Sequence, residues 1–188
     1  MLKEYLDSFG LLSDKEINSF IDLGIFKQLK KGDLFIKEGE TCQYVAFVLS
    51  GLLRSFYFSN KEEDITYCIS FPNHFMTAYS SFITQQPTNE NIEAISDVEL
   101  LLFSKENIQG LEQNNPNWIK FLKIIAEQQY IELEKRIFQL QKNEALHRYK
   151  ELINKQPEYI QKVPLKYLAS YLGITQRHLS RLRKEISF

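Results

Sequence analysis

Cysteine is scarce in this chain of 188 residues, which has only Cys42 and Cys68. Two cysteines cannot form the disulfide framework of a small secreted domain, and they show no zinc-site spacing with the histidines. No apolar segment opens the chain as a signal peptide would, and no run approaches the ~18 apolar residues of a membrane span. We therefore expect two free thiols, no membrane contact and a cytoplasmic location.

Catalytic motifs are also missing from the sequence. It has no glycine-rich phosphate loop, no serine nucleophile elbow and no zinc-protease motif with paired histidines. Its histidines, His74, His147 and His178, are scattered, and the acidic pair Glu62-Glu63 lies in a predicted turn, where solvated charge is the ordinary explanation. We therefore predict that the protein is not an enzyme and that it holds no metal or cofactor.

The net charge is only −1, but the charges are unevenly distributed. From Lys162 onward the chain carries +5, which leaves −6 on residues 1–161. The basic residues of this end are Lys162, Lys166, Arg177, Arg181, Arg183 and Lys184, against the single acid Glu185. A small basic module suits phosphate binding, although a solvated helix face remains an alternative.

The first two thirds of the chain change from a helical to a β-rich pattern. Residues 2–29 are predicted to be helical, with Ser13 to Glu16 resembling a helix cap. From residue 31 to 103, short β-rich runs alternate with turn residues, including Gly32, Gly39 and Gly51. This spacing predicts an antiparallel β-sandwich or roll, and with the helices an α+β fold. The runs are residues 34–36, 44–49, 52–58, 65–71 and 91–103.

A long helix is predicted after Pro116, from about residue 117 to 154. Apolar residues recur along it at alternating spacings of four and three, which is typical of a coiled-coil seam. The seam residues are Ala126, Tyr130, Leu133, Ile137 and Leu140. The helix has more apolar surface than one partner needs, so we favour a helix that pairs with its twin in a homodimer. A helix packed only on its own domain is the alternative.

The most specific pattern is residues 165–183, which predict a helix, a tight turn and a second helix. Ala169 is small where the helices cross, Gly173 suits a left-handed turn, and Thr175 can cap the second helix. The positions predicted to pack the two helices together are Leu168, Leu172, Ile174, Leu179 and Leu182.

The second helix, residues 175–186, is predicted to be a recognition helix for double-stranded DNA. Arg177 and Arg181 could each contact guanine in a bidentate manner, and Gln176 could contact adenine. The predicted DNA-binding residues are Thr175, Gln176, Arg177, His178, Ser180, Arg181 and Lys184. A helical hairpin without a DNA role would carry the same apolar spacing, but it would not need the small residue, glycine, cap and donors together.

In the order of its elements the chain resembles the Crp/Fnr family of transcription regulators. Residues 31–40 and 48–54 resemble cyclic-nucleotide-binding-like domains, and residues 165–183 resemble the family's helix-turn-helix. The resemblance implies an N-terminal β-roll (an antiparallel jelly roll), a long dimerisation helix and a C-terminal helix-turn-helix. It also implies a homodimer that binds a palindromic DNA site and meets RNA polymerase, a docking mode that the family's prototype exemplifies.

The chain departs from this family where cyclic nucleotides bind. Nucleotide-binding members carry a Gly-Glu pair, a short helix, and an arginine followed by Ser or Thr. Here the Gly-Glu pair is absent, and Thr88 and Asn89 stand where the arginine and serine would be. An anion without a cation, facing Glu90 and Glu93, would bind poorly, so we expect no response to cyclic AMP.

Another small molecule could occupy this degenerate pocket, so the effector is unknown. The candidate pocket residues are Phe75, Tyr79, Phe82, Thr88 and Asn89. Aromatic residues in such a region more often fill the core of the domain, and that alternative stays open.

Three parts are predicted: a sensor domain (residues 1–115), a dimerisation helix with its connection (116–154) and a DNA-binding domain (155–188). The family's usual β-hairpin wing is expected to be absent or truncated, because the chain stops at Phe188. Two functions remain open. The first is a dimeric DNA-binding regulator. The second is a small-molecule-binding signalling module whose C-terminal helices contact protein.

Overall fold

The structure is a computed structural model that describes residues 1–186, with the side chains of residues 1–185. It begins with two short helices, α1 (Leu2–Asp7) and α2 (Asp14–Asp22). The hydroxyl of Ser13 accepts the Glu16 amide, and the Glu16 carboxylate accepts the Ser13 amide at 2.6 Å. These reciprocal bonds confirm the predicted cap at the start of α2.

The helical prediction for residues 2–29 is wrong at its end, where Ile25–Leu29 forms strand β1. Helix α2 ends at Asp22, and Gly24 then passes so close to Leu101 that a β-carbon there would lie 2.4 Å from the leucine side chain. The whole of β1 pairs antiparallel with a later strand. Tertiary pairing therefore overrides the local helical pattern.

In the part of the chain that the structure describes, eight strands form two four-stranded sheets, which confirms the predicted antiparallel β-roll and the α+β class. The first sheet has the order β1-β8-β3-β6 and the second β2-β7-β4-β5. The remaining strands are β2 (Leu34–Ile36), β3 (Tyr44–Ser50), β4 (Leu53–Phe58), β5 (Asp64–Ser70), β6 (Phe75–Met76), β7 (Asn91–Ala94) and β8 (Val98–Ser104). The predicted run 91–103 is thus two strands, separated by a turn at residues 95–97.

Gly51, in the turn between β3 and β4, shows why the turns carry glycine. Its φ is +81°, and a β-carbon would lie 2.1 Å from the carbonyl oxygen of Asp97. No other residue fits this position without moving the backbone. Gly32 and Gly39, also named as turn residues from the sequence, likewise have positive φ.

The core of the roll extends into a cluster of aromatic rings that ties the N-terminal helices to the first sheet. Phe20 of α2 stacks on Phe103 of β8 with their centroids 4.0 Å apart. Tyr5 of α1 packs on Phe47 and Phe75. Buried aromatic side chains contribute much of the apolar area that stabilises a domain, so this cluster fixes α1 and α2 on the roll.

Two further helices belong to the roll. Helix α3 (Tyr79–Thr84) lies in the chain between β6 and β7, and α4 (Lys105–Asn114) follows β8. The side chain of Lys105 donates to the carbonyl oxygens of Phe82 and Ile83 at the end of α3. A cation at a helix C-terminus satisfies carbonyls that have no partner within the helix.

The long helix predicted for residues 117–154 is broken near its C-terminal third. Helix α5 runs from Pro116 to Lys142, and α6 from Ala145 to Lys155. Glu144 has an extended backbone (φ −68°, ψ 157°) and precedes α6 as its N-cap. The prediction of one continuous helix is therefore wrong at residues 143–144, because apolar periodicity does not register a two-residue break.

Three short helices follow: α7 (Pro157–Lys162), α8 (Leu165–Tyr171) and α9 (Gln176–Ile186). None of the helices within residues 1–186 is both long and apolar enough to cross a membrane. The expected absence of a wing concerns the chain end after α9, where Ser187 and Phe188 lie outside the described residues.

The chain divides into two compact units. The first comprises residues 1–57 and 68–126, and the second comprises residues 58–67 together with the described chain from Glu127 onward. The tip of the β4–β5 hairpin therefore belongs to the second unit. The three-part division predicted at residues 115 and 154 follows the types of element and stays a prediction.

Candidate nucleic-acid interface

Helices α8 and α9 form a compact pair. Ala169 is only 1 % exposed where the two helices meet, and Ile174 is half-buried in the turn. The other positions predicted to pack the pair, Leu168, Leu172, Leu179 and Leu182, are buried. The apolar spacing therefore has the role that the sequence predicted.

The turn between the two helices has the predicted geometry. Gly173 has φ +67°, in the left-handed region that favours glycine. The Ile174 amide donates to the carbonyl oxygen of Ala169 at 3.0 Å. The Thr175 hydroxyl accepts the His178 amide at 3.1 Å, which confirms Thr175 as the cap of α9. A rigid turn of this kind fixes the angle at which α9 is presented.

Hydrogen-bond donors cover the exposed side of α9. At 100° per residue, Gln176, Arg177 and Arg181 lie within one 140° sector of the helix, and Ser180 and Lys184 fall between them. Of the predicted DNA-binding residues, Thr175, Gln176, Arg177, His178, Arg181 and Lys184 are exposed, and Ser180 is half-buried. By the same geometry His178 lies about 60° beyond Arg181, just outside this sector.

Two arginines that sequence reasoning missed donate hydrogen bonds to the end of α8. Arg148 of α6 donates to the carbonyl oxygen of Leu172, and Arg136 of α5 donates to that of Tyr171. The Arg136 guanidinium also lies 3.7 Å from the centroid of the Tyr171 ring. Both cations thus sit at the C-terminal end of α8, where carbonyls lack helical partners.

The tip of the β4–β5 hairpin lies along one face of α8 and contacts Lys166 and Ser170. Lys166 Nζ lies 3.1 Å from Asp64 Oδ2. The Ser170 hydroxyl accepts the Thr66 amide at 2.8 Å and donates to the carbonyl oxygen of Asp64 at 3.2 Å. No sequence signal pointed to this contact, since its partners are more than a hundred residues apart in the chain.

The predicted dimer face of α5 is open to solvent within the single chain. Tyr130 is 67 % exposed, and Ala126 is half-buried. Leu133, Ile137 and Leu140 are also exposed, as are the neighbouring Ile131 and Phe138. Large apolar side chains exposed side by side are typical of interaction surfaces.

Comparison with known proteins agrees with this architecture. Residues 26–115 match the family model of the cyclic nucleotide-binding domain. No curated protein matches the chain by sequence. Among solved structures, FixK2 from Bradyrhizobium japonicum is similar, with a TM-score of 0.77 and 15% identity over 87% of this chain and 84% of that one.

Two further structures are similar over most of both chains. A Crp/Fnr family protein from Eubacterium rectale has a TM-score of 0.73 and 18% identity, over 98% of this chain and 88% of that one. The Catabolite Activator Protein of Thermus thermophilus has a TM-score of 0.61 and 18% identity, over 94% and 84%. The chain has the Crp/Fnr fold. The resemblance inferred from the sequence is thereby confirmed.

The residues predicted to form a pocket in this Crp/Fnr fold have different surroundings. Phe75 packs in the aromatic cluster with Phe20, Phe47 and Phe103. Phe82 and Thr88 are buried, whereas Tyr79 and Asn89 are exposed. The five residues thus differ in burial, and Phe75 belongs to the aromatic cluster, while the pocket itself stays a prediction.

Two hydroxyls of residues 77–90, the counterpart of the phosphate-binding segment in nucleotide-binding Crp/Fnr members, form hydrogen bonds within the chain. The Ser81 hydroxyl donates to the carbonyl oxygen of Gln86 and accepts the Cys42 amide at 2.9 Å. The Thr88 hydroxyl accepts the Glu90 amide at 3.2 Å. The hydroxyl proton of Ser81 is therefore already engaged within the chain.

A buried ion pair lies on the neighbouring strands of the second sheet. Arg54 of β4 and Glu93 of β7 are opposite each other in the register, and two guanidinium nitrogens lie 2.8 and 2.7 Å from Glu93 Oε2. Arg54 is only 3 % exposed. Glu93 is therefore not an uncompensated negative charge beside the degenerate pocket, because Arg54 neutralises it directly.

Proposed function

We propose that this protein is a homodimeric DNA-binding transcription regulator of the Crp/Fnr type. The observation that carries the proposal is the exposed donor face of α9. Helix α9 has a side-chain cap, and buried leucines pack it against α8. A basic second helix on such a scaffold suits the major groove of DNA, whose base edges accept hydrogen bonds and whose phosphates attract cations.

The donor face divides into residues for bases and residues for phosphates. Arg177 and Arg181 are one helical turn apart, so each reaches its own base pair and can bind guanine O6 and N7 together. Gln176 suits adenine. Ser180 and Lys184 suit the phosphates on either side of these bases. Thr175 and His178, at the start of α9, would lie beside the sugar-phosphate backbone of the DNA.

The exposed row on α5 supports dimerisation. Pairing this row with the same row of a second chain would bury Tyr130, Leu133 and Ile137 in a two-stranded helical seam. Two α9 helices related by a two-fold axis would then bind two half-sites of a palindrome, ~34 Å apart. The dimer would act in the cytoplasm, with RNA polymerase as its protein partner at a promoter.

The proposed regulator does not respond to cyclic AMP. Residues 77–90, the counterpart of the family's phosphate-binding segment, contain no arginine, and the Ser81 hydroxyl already donates to the carbonyl oxygen of Gln86. Arg54 is held by Glu93. A cyclic phosphate placed here would lose its hydration without gaining a partner of opposite charge.

The test is selection of bound sequences from a pool of random DNA duplexes, with and without cyclic AMP. We expect the same palindromic motif in both conditions. Arg177→Ala and Arg181→Ala should each weaken binding to that motif by roughly 1–3 kcal/mol and relax the preference at one base pair. Lys150→Ala is the matched control, because it removes an exposed cation from α6 and should leave the motif unchanged.

Three other results of the DNA selection would contradict parts of this proposal. A motif recovered only with cyclic AMP would contradict the proposed independence from the nucleotide. Binding to all duplexes alike, with Arg177→Ala and Arg181→Ala no different from Lys150→Ala, would contradict the assignment of α9. Protein that binds no duplex would favour the alternative function, in which α8 and α9 contact another protein.

A further inference from the structure

The turn that joins β4 to β5 is acidic and ordered by its own hydrogen bonds. Ser59 Oγ accepts the amides of Lys61 and Glu63 at 3.2 and 3.3 Å. Glu62 adopts φ +59°, the left-handed conformation of a tight turn. Residues 61–64 read Lys-Glu-Glu-Asp, so the turn carries a net charge of −2. This acidic tip belongs to the same compact unit as the basic helices α8 and α9.

Three polar contacts fasten the turn to one face of α8. The Asp64 carboxylate pairs with Lys166, and the Ser170 hydroxyl bridges the Asp64 carbonyl and the Thr66 amide. Lys166 and Ser170 are four residues apart, so they lie on the same side of the helix. Thr66 is 1 % exposed, so water is not at hand to replace Ser170 as the partner of its amide.

We propose that this turn is an electrostatic brake on DNA binding, in which Asp64 neutralises a lysine that would otherwise contact phosphate. The proposal rests on the DNA-binding function proposed above. In a helix-turn-helix the first helix crosses the DNA backbone. Lys166 lies in the first turn of α8, and 56% of its side chain is exposed. A phosphate can therefore reach it once the ion pair with Asp64 breaks.

Two features distinguish a brake from a simple structural staple. The turn places the Asp64 carboxylate beside Lys166 of α8, so a DNA phosphate and Asp64 compete for the same ammonium group. The Ser170 bridge fixes the main chain of the turn independently of charge, so the carboxylate is held in place even when salt screens the ion pair.

The experiment measures DNA affinity against salt for the full chain and three variants. Asp64→Asn should bind the selected duplex roughly fivefold more tightly at low salt, with a log–log salt dependence steeper by about 0.9, the value for one added phosphate contact. Glu63→Gln is the matched control, since it removes the same charge from the same turn at a carboxylate that does not pair with Lys166. It should change affinity less than twofold.

The decisive measurement repeats Asp64→Asn in a Lys166→Ala background. A brake that acts through Lys166 predicts that the gain disappears there. The same gain in both backgrounds would mean that Asp64 acts only through its general charge, and it would overturn the proposal. Equal gains from Asp64→Asn and Glu63→Gln would overturn it too.

A readout without DNA separates this proposal from the proposed function. Hydrogen exchange at the Thr66 amide should be faster in Ser170→Ala than in the unmodified chain, because that amide loses its acceptor. Unchanged exchange would refute the docking of the turn on α8. Faster exchange with no binding of any duplex, even by Asp64→Asn, would reject the regulator function and the brake together. Binding by Asp64→Asn alone would support both.

Discussion

Arg148 Nε and Nη2 both donate to the carbonyl oxygen of Leu172, at 3.0 and 2.8 Å. The same guanidinium donates to the carbonyl oxygen of Asn143, in the break between α5 and α6. The pKa of Arg148 is lowered mainly by burial of its guanidinium and, to a smaller extent, by the nearby positive charge of Arg136. One side chain thus links the helix break to the end of α8, two places where carbonyls lack helical partners.

Arg148→Ala should loosen the helix-turn-helix. The carbonyl of Leu172 would lose both donors beside Gly173, and hydrogen bonds to a charged group contribute about 1.5–3 kcal/mol each when they are buried. Since the guanidinium is only partly buried, we expect a loss near the lower end of that range, measured by urea denaturation. DNA affinity should fall with it, because α9 would no longer be held at one angle.

Arg148→Lys is the informative companion to this variant. It keeps the positive charge but cannot make the two-pronged contact, so it should resemble Arg148→Ala. Lys150→Ala on the same helix should cost little. Full stability in Arg148→Lys would show that charge alone, rather than the fork of hydrogen bonds, supports the turn.

The sequence was most informative where structure is decided within a few residues. Gly173 and Thr175 specified the turn and the cap, because φ preference and capping are local properties. The turn at Gly51 was predictable for the same reason. In contrast, β1 forms because Ile25–Leu29 pairs with β8, about seventy residues away in the chain. A partner at that distance leaves no mark on the local pattern.

The candidate site shows the same division. The donors on α9 followed from spacing along one helix, as did the exposed row on α5. The contacts that position α8 could not be predicted from spacing. Asp64 and Lys166 are 102 residues apart in the chain, and Arg148 and Leu172 are 24 apart. Phe75 was assigned to a pocket because an aromatic side chain has the same composition in a core or in a ligand site.

Leu133→Asp should dissociate the proposed dimer. Leu133 lies in the exposed row of α5, and two buried carboxylates facing each other across a two-fold axis would cost several kcal/mol. Sedimentation velocity should therefore show a monomer at concentrations where the unmodified chain is dimeric. Binding to the palindromic site should weaken accordingly.

Gln128→Asp is the control for the dimer experiment. By helical geometry Gln128 lies about 160° from the centre of the row, on the opposite side of α5, and it is exposed. Its substitution adds the same charge to the same helix and should leave a dimer. Dimers in both variants would place the interface on another surface.

Removing one partner of the ion pair in the second sheet should destabilise the roll severely. Arg54→Met leaves the Glu93 carboxylate without its cation, and breaking a buried pair from one side costs about 3–5 kcal/mol. The double variant Arg54→Met with Glu93→Met should recover much of that loss. Chemical denaturation of both variants checks this, and a double variant no more stable than the single one would show that the pair is not isolated from other polar groups.

Ser13→Ala should cost stability in a way that depends on pH. The hydrogen bond from the Ser13 side chain, and then the one from its main chain, lowers the pKa of Glu16 below its usual 4.5. A carboxyl whose pKa is lower in the folded state stabilises the fold above its unfolded pKa. That stabilisation is lost as the pH falls through the folded pKa. At pH 7 the lost cap should cost about 1 kcal/mol, and the cost should shrink below pH ~4.5.

Ser8→Ala provides the comparison for the pH experiment. The Ser8 hydroxyl donates to the carbonyl oxygen of Tyr5, which does not titrate, so any cost of this substitution should be the same at all pH values. Urea denaturation of both variants between pH 3 and 7 gives the two profiles. A cost for Ser13→Ala that stayed constant across that range would mean that the Glu16 charge adds nothing to the cap, and that the neutral hydrogen bonds alone set the start of α2.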